Sequence, residues 1–139
     1  MNAYFDTSAI VPLLLEEPHS KTAQIAVRNA ESTWAWRWAK VETEAALVRR
    51  KASPLAWRNW RILEGKIRWL ESSNDLSQDI CRFNREIGLR AADAGHLFIF
   101  ERTVTVMEDL TLVTFDKEMT KAADELGFTI FSPAEKDEK

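Results

Sequence analysis

Short apolar runs alternate along this chain with longer stretches in which apolar residues recur every three or four positions. Residues 3–5 form one such run, and from Ala9 to Leu14 the apolar residues recur at helical spacing. The run predicts a strand and the spacing predicts a helix. The chain is therefore predicted to begin with a strand that leads into a helix, with Asp6 at the junction between them.

The same two patterns repeat to the end of the chain. Further strands are predicted at residues 33–36, 104–106, 111–115 and 128–131. Further helices are predicted at residues 20–30, 37–51, 55–70, 79–87, 90–101 and 117–126. Ser53 and Pro54 favour a helix start, while Gly88 and Gly127 favour helix ends. Strands that alternate with helices predict an α/β fold, with three α/β/α layers around a mostly parallel sheet of four to five short strands.

Composition limits the class of protein. A chain of 139 residues with 45% hydrophobic residues has the size of one domain, predicted over residues 1–133 with a frayed tail at 134–139. The single Cys81 excludes an internal disulfide and favours a reducing, cytoplasmic location. The longest apolar run, residues 9–15, is too short to span a membrane.

Charge is distributed unevenly along the chain. The net charge is −3, yet residues 49–68 hold seven Lys and Arg against one Glu. This segment predicts a face for RNA or for a partner protein, because basic residues follow a phosphate backbone and tryptophans stack on unpaired bases. The residues assigned to it are Arg49, Arg50, Arg58, Arg61, Trp57 and Trp60. The alternative for the two tryptophans is a place in the core.

Two aspartates each follow a predicted strand. Asp6 and Asp116 stand where ligands bind in parallel sheets, although Asp at such a position can also simply cap the next helix. Ser8 and Thr114 lie two positions from them. We expect these hydroxyls to hold the carboxylates or a bound water, with capping again as the alternative.

Two further acids fall within apolar helical patterns. The predicted buried stripe of the helix over residues 37–51 consists of Trp38, Val41, Ala45 and Val48. Glu42 projects into that stripe, and Asp93 stands among small residues early in another helix. A buried acid needs a partner, either a metal ion or, without further function, a salt bridge or the helix dipole. His96 can pair with Asp93 or bind phosphate, but its position is more typical of a structural histidine.

Carboxylates without a nucleophilic Cys or a Ser-His-Asp arrangement suit Mg²⁺ or Mn²⁺, which prefer oxygen ligands. Such an ion binds phosphate and activates water, so the predicted reaction is hydrolysis of a phosphodiester bond. The predicted catalytic and metal-binding residues are Asp6, Glu42, Asp93 and Asp116.

Four segments resemble, in order, the motifs of the PIN-domain family, particularly the VapC-like toxin ribonucleases of toxin–antitoxin pairs. They are YFDTSA at residues 4–9, VETEAAL at 41–47, LRAADAGHL at 89–97 and LVTFDK at 112–117. The resemblance implies a PIN-like domain that cleaves RNA with Mg²⁺ or Mn²⁺, a homodimer, and a cognate antitoxin that occupies the groove near the site. It also implies that Glu42, rather than Glu44, is the matching acid. Trp36 departs from the family pattern, in which small polar residues often begin this helix.

Two other functions remain open at this point. A PIN-like protein without activity would serve as a binding or assembly partner. A haloacid-dehalogenase-like phosphotransferase also begins with an Asp after its first strand, but Ser8 stands where that family usually has a second Asp. The change Asp6→Asn separates the first two functions, because an enzyme would lose activity and a binding module would keep its affinity.

Overall fold

The computed structural model describes residues 1–72 and 74–133. Within these residues the strands are β1 (Asn2–Phe5), β2 (Ser32–Trp36), β3 (Arg68–Leu70) and β4 (Leu110–Val113). The helices are α1 (Thr7–Ile10), α2 (Ser20–Asn29), α3 (Trp38–Arg49), α4 (Pro54–Lys66), α5 (Ser77–Ile87), α6 (Ala91–Val104) and α7 (Lys117–Glu125), with a 3₁₀ turn at Val11–Leu13. No helix in this described part is both long and apolar enough to cross a membrane. The tail predicted at residues 134–139 lies outside it.

The four strands form one sheet in which all neighbours are parallel. Their order is β3-β2-β1-β4, so β1 lies between β2 and β4. Tyr4 pairs with Trp34 on one side and with Leu112 on the other, and Phe5 is in register with Val113. Strands β1 and β4 therefore end side by side at one edge of the sheet. The predicted α/β class with a parallel sheet is confirmed.

Helices cover both faces of the sheet. On one face Tyr4 and Leu112 pack with helices α6 and α7, and the buried helical residues there include Leu97, Phe100 and Met119. The core on the other face includes Phe5, Ala35 and Val113 from the strands and Ile10, Leu47 and Trp60 from the helices. Successive residues of a strand point to opposite faces, so each strand contributes to both cores. The predicted three-layer arrangement is confirmed.

Two predicted strands are wrong, and one strand was not predicted. Residues 104–106 end helix α6 and then turn, and Val106 is 86% exposed. Residues 128–131 contribute only a single parallel bridge, between Ile130 and Leu112. The helix predicted over residues 55–70 ends at Lys66, because the next residues pair with β2. Such short segments are decided by the neighbouring strand, which local periodicity does not reveal.

Helix α3 buries a different face from the predicted one. The predicted stripe is largely exposed, at 47% for Trp38 and 64% for Val48. The buried residues are instead Ala39, Thr43 and Leu47. Alanine and threonine are small and let the helix lie close to the sheet and to α1, whereas a stripe with Trp38 would hold it away. Glu42 is adjacent to this buried face and is itself half-buried.

Candidate active site

Asp6 and Asp116 meet at the edge where β1 and β4 end. Asp6 directly follows Phe5, and its backbone N–H donates to the carbonyl oxygen of Val113 at 3.3 Å. Asp116 lies three residues beyond Val113, at the start of α7. Both aspartates thus lie at the carboxyl ends of adjacent parallel strands, where α/β proteins bind ligands.

Two hydroxyl groups hold the carboxylate of Asp6, which is 2% exposed. Ser8 Oγ donates to Asp6 Oδ1 and Thr114 Oγ1 donates to Asp6 Oδ2, each at 2.7 Å. Ser8 Oγ in turn accepts the backbone N–H of Phe115 at 2.9 Å. Asp6 makes no side-chain capping bond to α1, so the capping alternative is wrong for this residue. The predicted support from Ser8 and Thr114 is present in the structure.

Asp116 caps helix α7 with one oxygen of its carboxylate, as the capping alternative predicted. Its Oδ1 accepts the backbone N–H of Met119 at 2.8 Å, and its backbone N–H donates to Thr114 Oγ1 at 3.2 Å. Thr114 therefore contacts both aspartates. These bonds fix the Asp116 carboxylate at the amino-terminal end of α7, where the helix dipole favours a negative charge.

Asp93 lies in the first turn of α6 and experiences the charges of the other acids. Burial raises its pKa to about 6, and the charges of Asp116, Asp6 and Glu42 add to the increase while His96 opposes it. The pKa of Asp6 is also raised, first by burial. The structure therefore places Asp6 and Asp116 together at the strand ends, with Asp93 on the first turn of α6 within reach of their charges.

Glu42 already has partners within the protein. Its Oε1 lies 2.8 Å from Thr7 Oγ1, which donates to it, and 2.7 Å from His96 Nε2. Burial opposes ionisation of Glu42, but the hydrogen bond and charge of His96 outweigh it with help from Thr7, so the pKa of Glu42 is lowered. An ionised carboxylate only accepts, so Nε2 carries the proton. Glu42 is therefore held by two hydrogen bonds within the protein.

His96 has the structural role favoured by its position in the sequence. The side chain is buried, and its Nδ1 lies 3.3 Å from the hydroxyl oxygen of Tyr4. Its Nε2 faces Glu42, so one ring connects β1, α6 and α3. This connection sets the position of Glu42 relative to the aspartates.

The donor set fits a hard divalent cation. Asp6, Asp93 and Asp116 offer carboxylate oxygens, the ligands that Mg²⁺ and Mn²⁺ prefer, and a cation would relieve the repulsion that raises the pKa of Asp93. Among residues 1–72 and 74–133, no three or more His, Cys, Asp or Glu side chains are arranged so that they could hold a metal ion together. Mg²⁺ usually keeps several waters, so a partial protein shell suits it.

The basic segment forms an exposed surface, but its tryptophans do not. Arg49, Arg58 and Arg61 are exposed, and Arg50 pairs with Glu17. Trp60 is 1% exposed, and its Nε1–H donates to Glu44 Oε2 at 2.9 Å. Trp57 is half-buried against the same core. The assignment of Trp60 to an RNA-stacking face is wrong, because its face of α4 packs on the sheet.

Three residues near the site were not among the predicted ones. Thr7 binds Glu42, and its place next to Asp6 was an available signal. The ring of His19 stacks on that of Phe115, with centroids 4.4 Å apart, and nothing in the local sequence indicates this contact. Gly95 leaves space for Trp36, because a Cβ at Gly95 would lie 2.5 Å from two atoms of that ring.

Solved structures share this arrangement of strands and helices. VapC20 of Mycobacterium tuberculosis, described as a toxin that cleaves the sarcin–ricin loop, is 19% identical over 92% of this chain and 97% of that one, with a TM-score of 0.69. A chain of a toxin–antitoxin complex from Klebsiella pneumoniae is 19% identical over 95% and 98%, with a TM-score of 0.65.

PAE2754 from Pyrobaculum aerophilum is 21% identical over 88% of this chain and 84% of that one, with a TM-score of 0.62. No protein-family model and no curated protein matches the sequence. At these identities the similarity concerns the fold, and it confirms the predicted PIN-like architecture.

Proposed function

We propose that this protein is a divalent-metal-dependent endoribonuclease and the toxin of a toxin–antitoxin pair. One observation carries the proposal: Asp6 and Asp116 follow the adjacent parallel strands β1 and β4, and Thr114 Oγ1 hydrogen-bonds to both residues. Such a carboxylate pair at the carboxyl edge of a sheet suits a metal ion and a phosphate. The fold shared with VapC20, a toxin described as cleaving RNA, supports RNA as the substrate.

Under this proposal the three aspartates hold the cation. Bound Mg²⁺ or Mn²⁺ supplies the positive charge that attracts the phosphate and activates water. Ser8 and Thr114 keep the Asp6 carboxylate in one orientation, and the cap on α7 does the same for Asp116. Asp93 makes no such bond within the described residues. Its carboxylate is therefore the one least held by the protein and the best suited to orient the attacking water.

Glu42 contributes as a positioning residue in this proposal. It connects α3 to Thr7 of α1 and to His96 of α6. Because Thr7 directly follows Asp6, this connection fixes the strand end that carries the buried aspartate. Glu42 can bind the cation only through its second oxygen, Oε2, or after Oε1 has lost its bond to Thr7 or His96.

A surface on α3 and α4 supports the expected protein partners, a cognate antitoxin and a second copy of the chain. Val48, Leu55 and Ile62 are large apolar side chains that are more than half exposed. They lie among the exposed arginines of the basic segment, and exposed apolar side chains flanked by arginine are typical of protein interfaces. A cytoplasmic location stays a prediction from the sequence.

A second candidate is a non-catalytic binding or assembly protein with the same fold. The specific observation in its favour is that Oε1 of Glu42 is already bound by Thr7 and His96. If these bonds are permanent, Glu42 has only its second oxygen, Oε2, to offer to a metal.

Cleavage of labelled RNA tests the proposal. The purified protein is incubated with tRNA, ribosomal RNA fragments and single-stranded DNA in Mg²⁺, Mn²⁺ or EDTA, beside Asp6→Asn, Asp93→Asn and the control Asp124→Asn. Asp124 is exposed near the end of α7, about 12 Å along the helix from Asp116. The expected result is cleavage of RNA by the wild type and the control, and none in EDTA or with either site variant.

Two other outcomes would contradict the proposal. Cleavage that persists in EDTA or in Asp93→Asn would indicate a contaminant or different chemistry. Absence of cleavage on every substrate, together with retained binding of a partner protein by Asp6→Asn, would favour the non-catalytic candidate.

A further inference from the structure

A cavity of about 440 Å³ lies at the carboxyl ends of β2 and β3. Its wall includes Trp36, Trp38, Val41, Asn74, Asp75 and Ile80. This volume falls in the range of sites that enclose small organic groups. None of the residues assigned to the metal lines this cavity.

One wall residue of the cavity, Trp36, contacts the candidate active site through His96. The Trp36 ring packs edge-on against the His96 ring, with centroids 5.2 Å apart and planes at 88°. His96 in turn binds Glu42 at 2.7 Å. Trp38 precedes Glu42 by four residues on α3, which places the two side chains on adjacent turns of one helix face. The cavity wall and Glu42 therefore share His96 as a common neighbour.

Trp38 offers an accessible aromatic face. It is 47% exposed, whereas Trp60 is buried in the core. The Trp36 ring lies beside it, with centroids 6.5 Å apart, which supports the indole from one side. Stacking on such a ring typically strengthens the binding of one unpaired base about 5- to 150-fold.

The charges around the cavity favour a base over a phosphate. Arg37 Nε pairs with Glu71 Oε2 at 3.0 Å, so this cation is already neutralised. Asp75 Oδ1 accepts the backbone N–H of Ser77 at 2.9 Å, and hydrogen bonds from Ser77 lower the pKa of Asp75. Asp75 is therefore ionised at neutral pH and repels phosphate, but it can accept from an exocyclic amino group, as acidic side chains do from cytosine.

We propose that this cavity binds an unpaired nucleobase next to the cleaved phosphate, by stacking on Trp38 and with a preference for bases that carry an exocyclic amino group. The inference rests on the proposed function, because the base belongs to the RNA that the proposed nuclease cleaves. In this proposal Trp36 forms the inner wall of the base-binding cavity.

Binding of short RNA tests this inference without cleavage. Fluorescein-labelled oligocytidine and oligouridine of ten nucleotides are titrated, in Mg²⁺, with the Asp93→Asn protein and followed by fluorescence anisotropy. Addition of Trp38→Ala should weaken oligocytidine binding about 5- to 150-fold, and Trp38→Phe should restore most of it. Asp75→Asn should reduce the preference for oligocytidine over oligouridine. Val106→Ala, an exposed apolar residue elsewhere on the molecule, should change neither.

The outcomes separate this inference from the proposed function. Metal-dependent cleavage by the wild type, together with unchanged RNA binding in Trp38→Ala, overturns the base site and leaves the nuclease intact. Weaker binding in Trp38→Ala without any cleavage by the wild type supports the base site and contradicts the nuclease. Loss of a protein partner, but not of RNA, in Trp38→Ala would assign this surface to protein docking and overturn the inference.

Discussion

Asp93→Asn is expected to make the metal-free protein more stable at neutral pH. The folded protein raises the pKa of Asp93 from 3.8 to about 6, so the folded state holds this proton more tightly than the unfolded state. Ionisation of Asp93 therefore destabilises the fold, and the penalty develops between pH 3.8 and about 6 and is complete above that range. Asparagine has nearly the same shape and never ionises.

The size of the effect follows from the pKa. A difference of about 2 between the two states corresponds to about 3 kcal/mol at about 1.4 kcal/mol per pKa unit. Asp93 is only half-buried, and solvent screening reduces this to about 1–2 kcal/mol. For a chain of this length, that free energy corresponds to an increase in Tm of about 3–7 °C.

Thermal and urea unfolding in EDTA at several pH values measure the difference. We expect Asp93→Asn to be more stable than the wild type at pH 7.5 and equal to it below about pH 4, with Asp124→Asn as the control for loss of an exposed charge. Added Mg²⁺ should stabilise the wild type more than the variant. Equal stability of wild type and variant throughout pH 5–8 would refute the raised pKa of Asp93 in the folded protein.

Three further substitutions test other parts of the structure. Gly95→Ala should destabilise the protein by about 1–3 kcal/mol in urea unfolding, because the new Cβ meets the Trp36 ring; an unchanged midpoint would show that the ring can move away. Thr114→Val should cost about 1–3 kcal/mol and reduce cleavage, because Asp6 Oδ2 loses its hydrogen bond, whereas Thr114→Ser should retain both properties. Trp60→Phe should lower the free energy of unfolding by about 1–3 kcal/mol and leave RNA affinity unchanged in an anisotropy titration; weaker RNA binding at full stability would contradict its place in the core.

Local features of the fold were predictable from the sequence because each depends on a few neighbouring residues. Ser53 accepts the backbone N–H of Ala56 at the start of α4, as its position before Pro54 predicted. Gly88 and Gly127 adopt positive φ at helix ends, a conformation that glycine adopts without strain. The short strand β3 was not predictable, because its pairing with β2 is a long-range contact.

Periodicity and capping are local properties, so the α/β class, most helix limits and the positions of Asp6 and Asp116 after two strands could be read from the residues alone. The buried face of α3 depends on packing, because two apolar faces compete and the closeness of the sheet selects the smaller side chains. Packing also brings Glu42 to His96 across 54 residues of sequence. Such pairings depend on how separate elements pack, and no local pattern encodes that geometry.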